Sequence, residues 1–422
     1  MITRFNVEVK PRIQRYKDYY DGKHKILEKK YKDKTRLCSR VATSYPKCIT
    51  DSFVGYIASP GYISYSSTND IEELMDILRY NDYQEEDSNF LLNALIYGTA
   101  AELMYIDGDK KTRFKLINPT QCFGIYDDSL TNDLLYFVRF YPINEWDETD
   151  NFAVDVYSDY DIKHYIMRGE NGQLEFLEEE PHYFSQCPAN IFSLPDEKSI
   201  FDCVMPLVDA YNEVLTSEID DFSAFCDAYL GLFGVDADAE TISQMKESRV
   251  LILPPEGANA QWITKSSSDA QTENILKRLH DSIYRVASCV DFSSETLMSG
   301  VSSGISIRYK MSGQETRSAP IAAAMKKALQ RRMEILCGLA TLRYGEEVFR
   351  DIHIDFKRNI PEDTAATINL INALKGTVSD ATLLSQLSFV EDVNAEIEAV
   401  EAQKQRNMAL YSFGGGDEEE EE

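Results

Sequence analysis

The chain has 422 residues, of which 43% are hydrophobic, and its formal net charge at pH 7 is -28. This length and apolar content exclude a disordered chain and predict two or three domains, or one elongated subunit with a sizeable core. The charge is uneven, because residues 1–40 hold thirteen Lys and Arg against five acids, or +8, which leaves -36 for the remainder. Such an acidic chain should not bind DNA through counterion release at a basic face.

The eight cysteines include no pair with CxxC spacing, and the five histidines do not cluster with them. This pattern argues against a zinc site or a disulfide framework and favours folding in a reducing cytosol. The N-terminus is polar and basic, and no segment is apolar enough to span a membrane. We therefore expect a soluble, acidic, intracellular protein without a signal peptide.

The first half of the chain has the pattern of an α+β domain. Helical spacing of apolar residues and helix-start signals predict four helices, over 11–34, 45–56, 70–80 and 83–99. Aromatic and β-branched runs separated by turn signals then predict a strand-rich stretch over about 101–192.

A long amphipathic helix is predicted over 203–233. Its apolar residues recur every 3.6 positions on average, which is the helical period: Val204, Val208, Tyr211, Leu215, Ile219, Phe222, Cys226, Tyr229 and Phe233. We interpret this stripe as core or subunit interface rather than a ligand site. The opposite face is acidic, with Asp209, Glu213, Glu218, Asp220 and Asp221.

A second long helix is predicted over 268–290, with an apolar stripe formed by Ile275, Leu279, Ile283, Val286 and Val290. The insert between the two helices has a short predicted helix at 239–247 and strand-like runs at 249–253 and 261–264. It reads as a small hairpin module at the tip of the helical pair. Trp262 lies in this insert, and a core role and an interface role remain equally open.

The last third begins with a hydroxyl- and glycine-rich loop over 291–304, followed by a long helical region to about residue 344. An alternating pattern predicts one strand over 351–356. Residues 361–410 are predicted to be helical, and glycines at 414–416 lead to the acidic tail 417–422.

Catalytic motifs are absent from the sequence, which has no phosphate-binding loop, dinucleotide fingerprint, nucleophile elbow or HExxH. Asp351, His353 and Asp355, with Lys357 nearby, are residue types that a metal-dependent nuclease uses to hold a cation and activate water. They also fit the exposed face of a half-buried strand, and this is the interpretation we favour. The basic cluster Lys326, Lys327, Arg331 and Arg332 is read as a solvated or ion-paired face, with phosphate contact as the alternative.

Three stretches resemble signatures of the tailed-bacteriophage portal family, in the branch typical of long-tailed phages of Gram-positive hosts. Residues 19–26 (Tyr-Tyr-Asp-Gly-Lys-His-Lys-Ile) resemble its N-terminal YY-x-G-x-H-x-I motif. Cys187-Pro188, then Leu-Val-Asp-Ala-Tyr-Asn at 207–212, resemble its run into a long helix. Residues 303–310 (Ser-Gly-Ile-Ser-Ile-Arg-Tyr-Lys) are similar to its SG-x-A-L-k-y-K segment, although Ser306 replaces the usual alanine. The matches occur in the family's order across residues 15–345.

The resemblance implies an α+β portal fold with a wing, two stem helices, a clip, a tunnel loop and a helical crown. The implied bounds are 1–202 with the strand 351–357 for the wing, 203–233 and 268–290 for the stem, 234–267 for the clip, 291–304 for the tunnel loop, 305–350 for the long helix that follows, 361–412 for the crown and 413–422 for the tail.

The resemblance also implies a ring of about twelve subunits at one capsid vertex, through which double-stranded DNA passes without sequence readout. Implied partners are the terminase large subunit, a head-completion or adaptor protein, and the major capsid and scaffolding proteins. The chain would be assembled in the host cytoplasm into the virion, with no enzyme activity and no cofactor. The alternatives are a nucleic-acid-processing enzyme and a different ring or adaptor protein of the virion.

Site residues follow from the same resemblance. The tunnel loop would present Ser293, Ser294, Glu295, Gly300, Ser302, Ser303, Gly304 and Lys310 to DNA. Stem packing would use Val208, Tyr211, Leu215, Ile219, Phe222, Tyr229, Leu279, Ile283 and Val286. Arg249 and Trp262 of the clip would meet the adaptor or the terminase. Acidic channel walls would repel DNA and so let it slide in both directions.

Overall fold

The computed structural model describes residues 1–30, 38–143, 151–169, 172–226, 229–233, 259–263, 269–291, 304–339, 342, 344, 348–358, 368, 371–384, 387 and 393–413. The chain divides into two compact units. The first comprises Met1–Asp291 and Met311–Asn359, and the second comprises Phe292–Lys310 and Ile360–Glu422. Helices and strands are mixed throughout the first unit, which confirms the α+β class.

The first long helix, α1 (Lys10–Tyr20), follows the helical turns Ile2–Arg4 and Phe5–Val9. The prediction of one helix to residue 34 was wrong, because the chain turns at Gly22, whose φ is +80°. Glycine tolerates this left-handed conformation, so the helix ends just before it. A short 3-10 turn, Lys25–Glu28, follows.

The next three helices agree with the predictions: α2 (Tyr45–Ile57), α3 (Glu72–Tyr80) and α4 (Tyr83–Tyr97). Helix α4 ends at Gly98, whose φ is +83°, and a Cβ atom there would lie 2.5 Å from the backbone of Glu197. Glycine is therefore required both by conformation and by space at this helix end.

The strand-rich stretch forms two antiparallel sheets, which confirms its prediction. A three-stranded sheet has the order β3-β2-β9, from β2 (Thr99–Ile106), β3 (Thr112–Ile117) and β9 (Ala189–Ser193). A five-stranded sheet runs in sequence order through β4 (Cys122–Tyr126), β5 (Leu134–Pro142), β6 (Asn151–Tyr157), β7 (Asp161–Arg168) and β8 (Leu174–Pro181).

Both faces of the five-stranded sheet are covered near its centre. On one face Phe140 and Val154 pack with Phe5 and Ile13 of the N-terminal helical segment. On the other face Phe137 and Tyr157 pack with Leu103 and Ile117 of the smaller sheet: these strands therefore alternate between two cores. This burial fixes the strand register, since a one-residue slip would exchange the two faces.

The two predicted long helices are present as α5 (Met205–Cys226) and α6 (Asp269–Ala287). The prediction that the first continues to residue 233 was wrong, because Tyr229–Phe233 is a strand, β10, paired antiparallel with β11 (Asn259–Ile263). Tyr229 therefore lies opposite Ile263 in a strand pair, not in the helix stripe. The run from 229 to 233 is aromatic and apolar, and such residues favour strands once a partner is available. The run 249–253 and the short helix 239–247 lie outside the described residues.

The long helix α7 (Gly304–Cys337) confirms a helix after the hydroxyl-rich loop and contains Pro320, but it ends at Cys337 and not near residue 344 as predicted. A short helix, α8 (Val348–Asp351), precedes β12 (His353–Phe356), which pairs with β1 (Ile63–Ser66). The predicted strand thus begins at His353, and Asp351 belongs to the preceding helix. In the second unit the described helices include α9 (Asp380–Leu384) and α10 (Val393–Phe413).

Candidate functional site

Helices α5 and α6 pack against each other and against the start of α2 through a group of aromatic rings. The Tyr45 ring centroid lies 5.2 Å from that of Tyr211 and 6.0 Å from that of Tyr284, both edge-on. The Tyr45 hydroxyl is 2.8 Å from His280 Nδ1, and His280 Nε2 is 3.1 Å from the Asp291 carboxylate. An imidazole protonated at Nε2 satisfies both contacts, so one hydrogen-bonded chain links α2 and α6 to Asp291.

One face of α5 buries polar side chains in place of apolar ones. Asn212, Thr216 and Asp220 are each less than 4% exposed, and their spacing of four places them on one stripe of the helix. Each accepts a hydrogen bond from a backbone N–H of the extended segment 38–43, in the pairs Thr43 to Asn212 (3.0 Å), Val41 to Thr216 (3.3 Å) and Ser39 to Asp220 (2.6 Å).

The two spacings match because of elementary geometry. Four residues of a helix advance about 6.0 Å, and two residues of an extended chain advance about 6.6 Å. Every second N–H of the extended segment therefore meets every fourth side chain of α5. We call residues 19–29 and 38–43 together the N-terminal clasp.

His24 of the clasp is buried against the same stripe. Its Nδ1 lies 2.9 Å from the Asn212 amide nitrogen, and its Nε2 lies 2.9 Å from the backbone oxygen of Tyr19. The Tyr19 ring stacks on the imidazole, and its hydroxyl donates to Asp209 at 2.7 Å. Burial and this contact with a carboxylate raise the pKa of Tyr19 to about 12. The neutral imidazole with a proton on Nε2 satisfies both ring nitrogens.

Two lysines of the clasp pair with acids of α5. Lys25 lies 3.2 Å from Asp209, and Lys29 lies 2.6 Å from Glu213. Asp220 accepts a hydrogen bond from Ser39. Three of the five acids on the predicted acidic face of the helix, Asp209, Glu213 and Asp220, therefore contact the clasp. The basic N-terminus thus neutralises part of the acidic helix, a pairing that the separate charge counts did not reveal.

The clasp also joins two of the sequence signatures. Tyr19 and His24 belong to the N-terminal motif, and Asp209 and Asn212 belong to the motif that enters α5. Their contacts show that the two motifs form a single packing unit of the fold. The sequence showed these polar residues as members of two family motifs, but their spacing along the chain gave no indication that the two motifs contact each other.

Helix α7 anchors the end of α6, next to the predicted tunnel loop. The Arg317 guanidinium donates to the backbone oxygen of Ala287 and to that of Ile200, which precedes α5. The side-chain oxygen of Gln314 accepts from the Val290 N–H at 3.2 Å. The cation of Arg317 at the last carbonyls of α6 also suits the negative end of that helix.

The predicted stem-packing residues divide by burial in the single chain. Val208 and Ile283 are fully buried, whereas Tyr211, Leu215, Ile219 and Leu279 are partly buried. Phe222 is 70% exposed and Val286 is 47% exposed. Ile275, which belongs to the predicted apolar stripe of α6, is 48% exposed. The stripes thus leave large apolar side chains uncovered on both helices, which is typical of an interface.

The other predicted site residues are placed only in part. Gly304 begins α7, and Lys310 of the same helix is exposed. Trp262 lies on β11, opposite Leu230 of β10. The remaining tunnel-loop residues and Arg249 lie outside the described residues.

A buried ionic cluster was missed by the sequence reading. Arg332, fully buried on α7, contacts Asp87 of α4 and both carboxylate oxygens of Glu102 of β2. Its neighbour Arg331 pairs with Glu334 at 2.7 Å on the surface, as an ion-paired face predicts. The expectation of a solvated or surface-paired side chain was therefore wrong for Arg332.

The residues behind the nuclease alternative do not share a strand face. The Asp351 carboxylate accepts hydrogen bonds from the side chains of Ser67 and Thr68 and from the Thr68 N–H, all within 2.8 Å. These donors hold the pKa of Asp351 well below its usual value. In the part of the chain that the structure describes, no three His, Cys, Asp or Glu side chains are grouped to hold a metal ion.

A pair of long helices separated by a strand insert, in a chain of mixed helices and strands, is the arrangement that the resemblance to the phage portal class implies. The family model for the phage portal protein, SPP1 Gp6-like, matches residues 6–409, and the chain therefore belongs to that family. The chain is also 20% identical over 430 residues to the portal protein of Bacillus phage SPP1, covering 96% of this chain and 84% of that protein.

Family membership makes the chain a portal protein of a bacteriophage virion, with a role in genome packaging. No helix among the described residues is both long and apolar enough to cross a membrane.

Proposed function

We propose that about twelve copies of the chain close into a ring at one capsid vertex and form the conduit for DNA packaging and ejection. The observation that carries this proposal is the match to the portal family over residues 6–409. In this role the protein has no catalytic activity of its own, and the motor that hydrolyses ATP is a separate protein.

The exposed apolar residues of α5 and α6 support ring closure. Phe222, Ile275 and Val286 are at least 47% exposed in one chain and would be buried against neighbouring subunits. A heterologous contact repeated around a rotation axis closes into a ring. Burying such side chains contributes about 25 cal/mol per Å² of apolar area, and the same contribution would repeat at every subunit contact of the ring.

The proposed subunit plan keeps the bounds implied by the sequence, except that the long helix after the tunnel loop ends at Cys337 and that the stem and clip change as follows. The first stem helix ends at Cys226, and the clip begins with β10 and includes β11. The wing comprises the two sheets with the helices around them, the crown includes α10, and the tunnel loop lies between α6 and α7 at 291–304.

The channel would contact DNA weakly. The net charge of -28 opposes tight phosphate binding, and a wall that does not hold phosphates permits movement in both directions. Asp209, Glu213 and Asp220 contribute little to this repulsion, because they already bind residues of the clasp. Repulsion must therefore come from other acids of the ring, including the tail.

The proposed partners follow the subunit plan. The clip would meet the terminase large subunit during packaging and the head-completion or adaptor protein afterwards. The wing would face the major capsid and scaffolding proteins. Trp262 is proposed as a clip contact, since aromatic residues anchor interfaces.

Shortening residues 293–303 tests the tunnel-loop placement. We expect rings to assemble normally, because the anchoring contacts of Arg317 and Gln314 lie outside the deletion, while DNA packaging falls sharply. A variant with the same segment replaced by Gly and Ser at unchanged length serves as the matched control. Normal packaging by rings of the shortened variant would show that the loop lies elsewhere.

A further inference from the structure

Strand β8 (Leu174–Pro181) is the last strand of the five-stranded sheet, and all eight of its residues are exposed. Among the described residues, no strand pairs with its outer edge, so alternate N–H and C=O groups there face outward. The strand also carries exposed apolar side chains, with Phe176 54% exposed and Leu177 53% exposed. An open edge with apolar side chains is a template for strand addition.

The opposite end of the same sheet is packed. Phe123 of β4 stacks on Phe5 of the N-terminal helical segment, with ring centroids 5.3 Å apart. A Cβ atom at Gly124 would lie 2.7 Å from the Ile191 side chain of β9. Among the described residues, other elements thus pack closely against β4 but not against the outer edge of β8.

A cleft of about 520 Å³ lies beside the C-terminal end of β8. Glu180 and Pro181 of β8 form part of its wall, together with Ile162 of β7 and with Leu103 and Ile117 of the smaller sheet. Besides these apolar side chains the wall holds the Glu180 carboxylate and the cations Lys115 and Arg139, so the cleft suits an apolar side chain better than a basic one. In strand-addition complexes the main chain supplies affinity and such a pocket selects a side chain.

The negative charge of this edge determines which kind of extended segment could pair with it. Strand β8 contributes four glutamates, and β7 contributes one aspartate, one lysine and one arginine, so the two strands sum to -3 with His164 neutral. Two copies of an acidic edge repel each other, which is how natural edge strands avoid pairing with themselves. An extended segment rich in Lys or Arg would instead gain attraction along the strand.

We propose that β8 is a docking strand for an extended, basic segment of another protein of virion assembly, which adds a sixth strand to the sheet. Apolar residues of that segment would alternate with its cations and pack beside Leu174 and Phe176, which share a face with Met167 and Tyr165 of β7. One apolar side chain of the segment would enter the cleft, while its cations would face the glutamates of β8.

The test uses the full-length chain and a fluorescent nine-residue peptide of alternating arginine and valine. We expect saturable binding, measured by anisotropy, together with slowed amide hydrogen exchange in residues 174–181. The double variant Glu178→Lys/Glu179→Lys should weaken binding about tenfold or more, since it brings the net charge of β8 from -4 to 0. The matched control Glu85→Lys/Asp128→Lys makes the same charge change at exposed positions away from β8 and should bind as the wild type does.

Two further peptides separate strand addition from charge attraction. A peptide methylated at alternate backbone nitrogens keeps its charge but cannot pair along one edge, and it should fail to bind. If it binds equally well, or if amide exchange in 174–181 is unchanged, the contact is electrostatic only and the proposal is wrong. If β8 amides are already protected in assembled rings and the double variant prevents ring assembly, the edge belongs to a second copy, which also overturns the proposal.

Discussion

Replacing Arg332 with methionine should destabilise the first unit more than any surface change on α7. The guanidinium Nε and Nη2 donate to Glu102 at 2.9 and 2.8 Å, and Nη1 donates to Asp87. All three side chains are at most 1% exposed. The cluster consists of two carboxylates and one cation. Removing the cation therefore leaves two negative charges in the core.

The magnitude follows from burial. Breaking a fully buried ion pair by removing one partner costs about 3–5 kcal/mol, because the other charge stays desolvated. Hydrogen bonds from Tyr65 to Asp87 and from Asn190 to Glu102, at 2.7 and 2.6 Å, remain and offset part of this cost. We therefore expect a loss of about 3 kcal/mol in the free energy of unfolding at pH 7.

Urea unfolding followed by circular dichroism measures this loss, and Arg331→Met is the matched control. The Arg331–Glu334 pair is 34% exposed on both sides, so its loss should cost less than about 1 kcal/mol. The triple variant Arg332→Met/Asp87→Asn/Glu102→Gln should recover stability, because it removes the unpaired charges. Equal effects of the two single arginine variants would refute the reasoning.

Three other outcomes are expected. Asn212→Ala should lower the free energy of unfolding by about 1–3 kcal/mol, measured by urea unfolding, because Thr43 and His24 lose a buried partner; an unchanged midpoint would contradict the clasp. Because the pKa of Asp351 is lowered below 3.8 on folding, its carboxylate stabilises the protein above that pH, and this contribution is lost as the pH falls through the folded-state pKa. Asp351→Asn should thus be less stable than wild type at pH 7, with a gap in melting temperature that narrows below pH 3.8; a constant gap would exclude this linkage. Phe222→Ser should leave the melting temperature of the subunit within a few degrees and weaken ring assembly in sedimentation, whereas unaffected rings would place the interface elsewhere.

The spacing of apolar residues along the sequence predicted those helices and strands that bury one face, because such elements repeat apolar residues at a single period. The helices α2 to α4 and the strand-rich region appeared where apolar spacing placed them, since a half-buried helix or strand must present one apolar face. The same reasoning failed at Tyr229–Phe233, where the spacing of Cys226, Tyr229 and Phe233 continued the helical repeat by coincidence. A strand partner 26 to 34 residues away decided the structure there, and periodicity does not report partners.

The polar contacts were the least predictable part of the molecule. Arg332 and Arg331 are adjacent in a basic run, yet one is buried with two carboxylates and the other is on the surface. Asn212, Thr216 and Asp220 lie outside the predicted apolar stripe of the first long helix, yet they are buried and bind the backbone of the clasp. Their partners are more than 160 residues away, so only the fold reveals these pairs.

The oligomeric state of the purified chain is the most direct test of the proposed conduit. Mass photometry combined with negative-stain imaging should show closed rings of about twelve subunits with a central hole. A closed ring with a neighbouring subunit count would also support the proposal, because any closed ring of subunits encloses a central channel. A stable monomer, or an open filament without a central hole, would contradict the proposal that this chain forms the DNA channel.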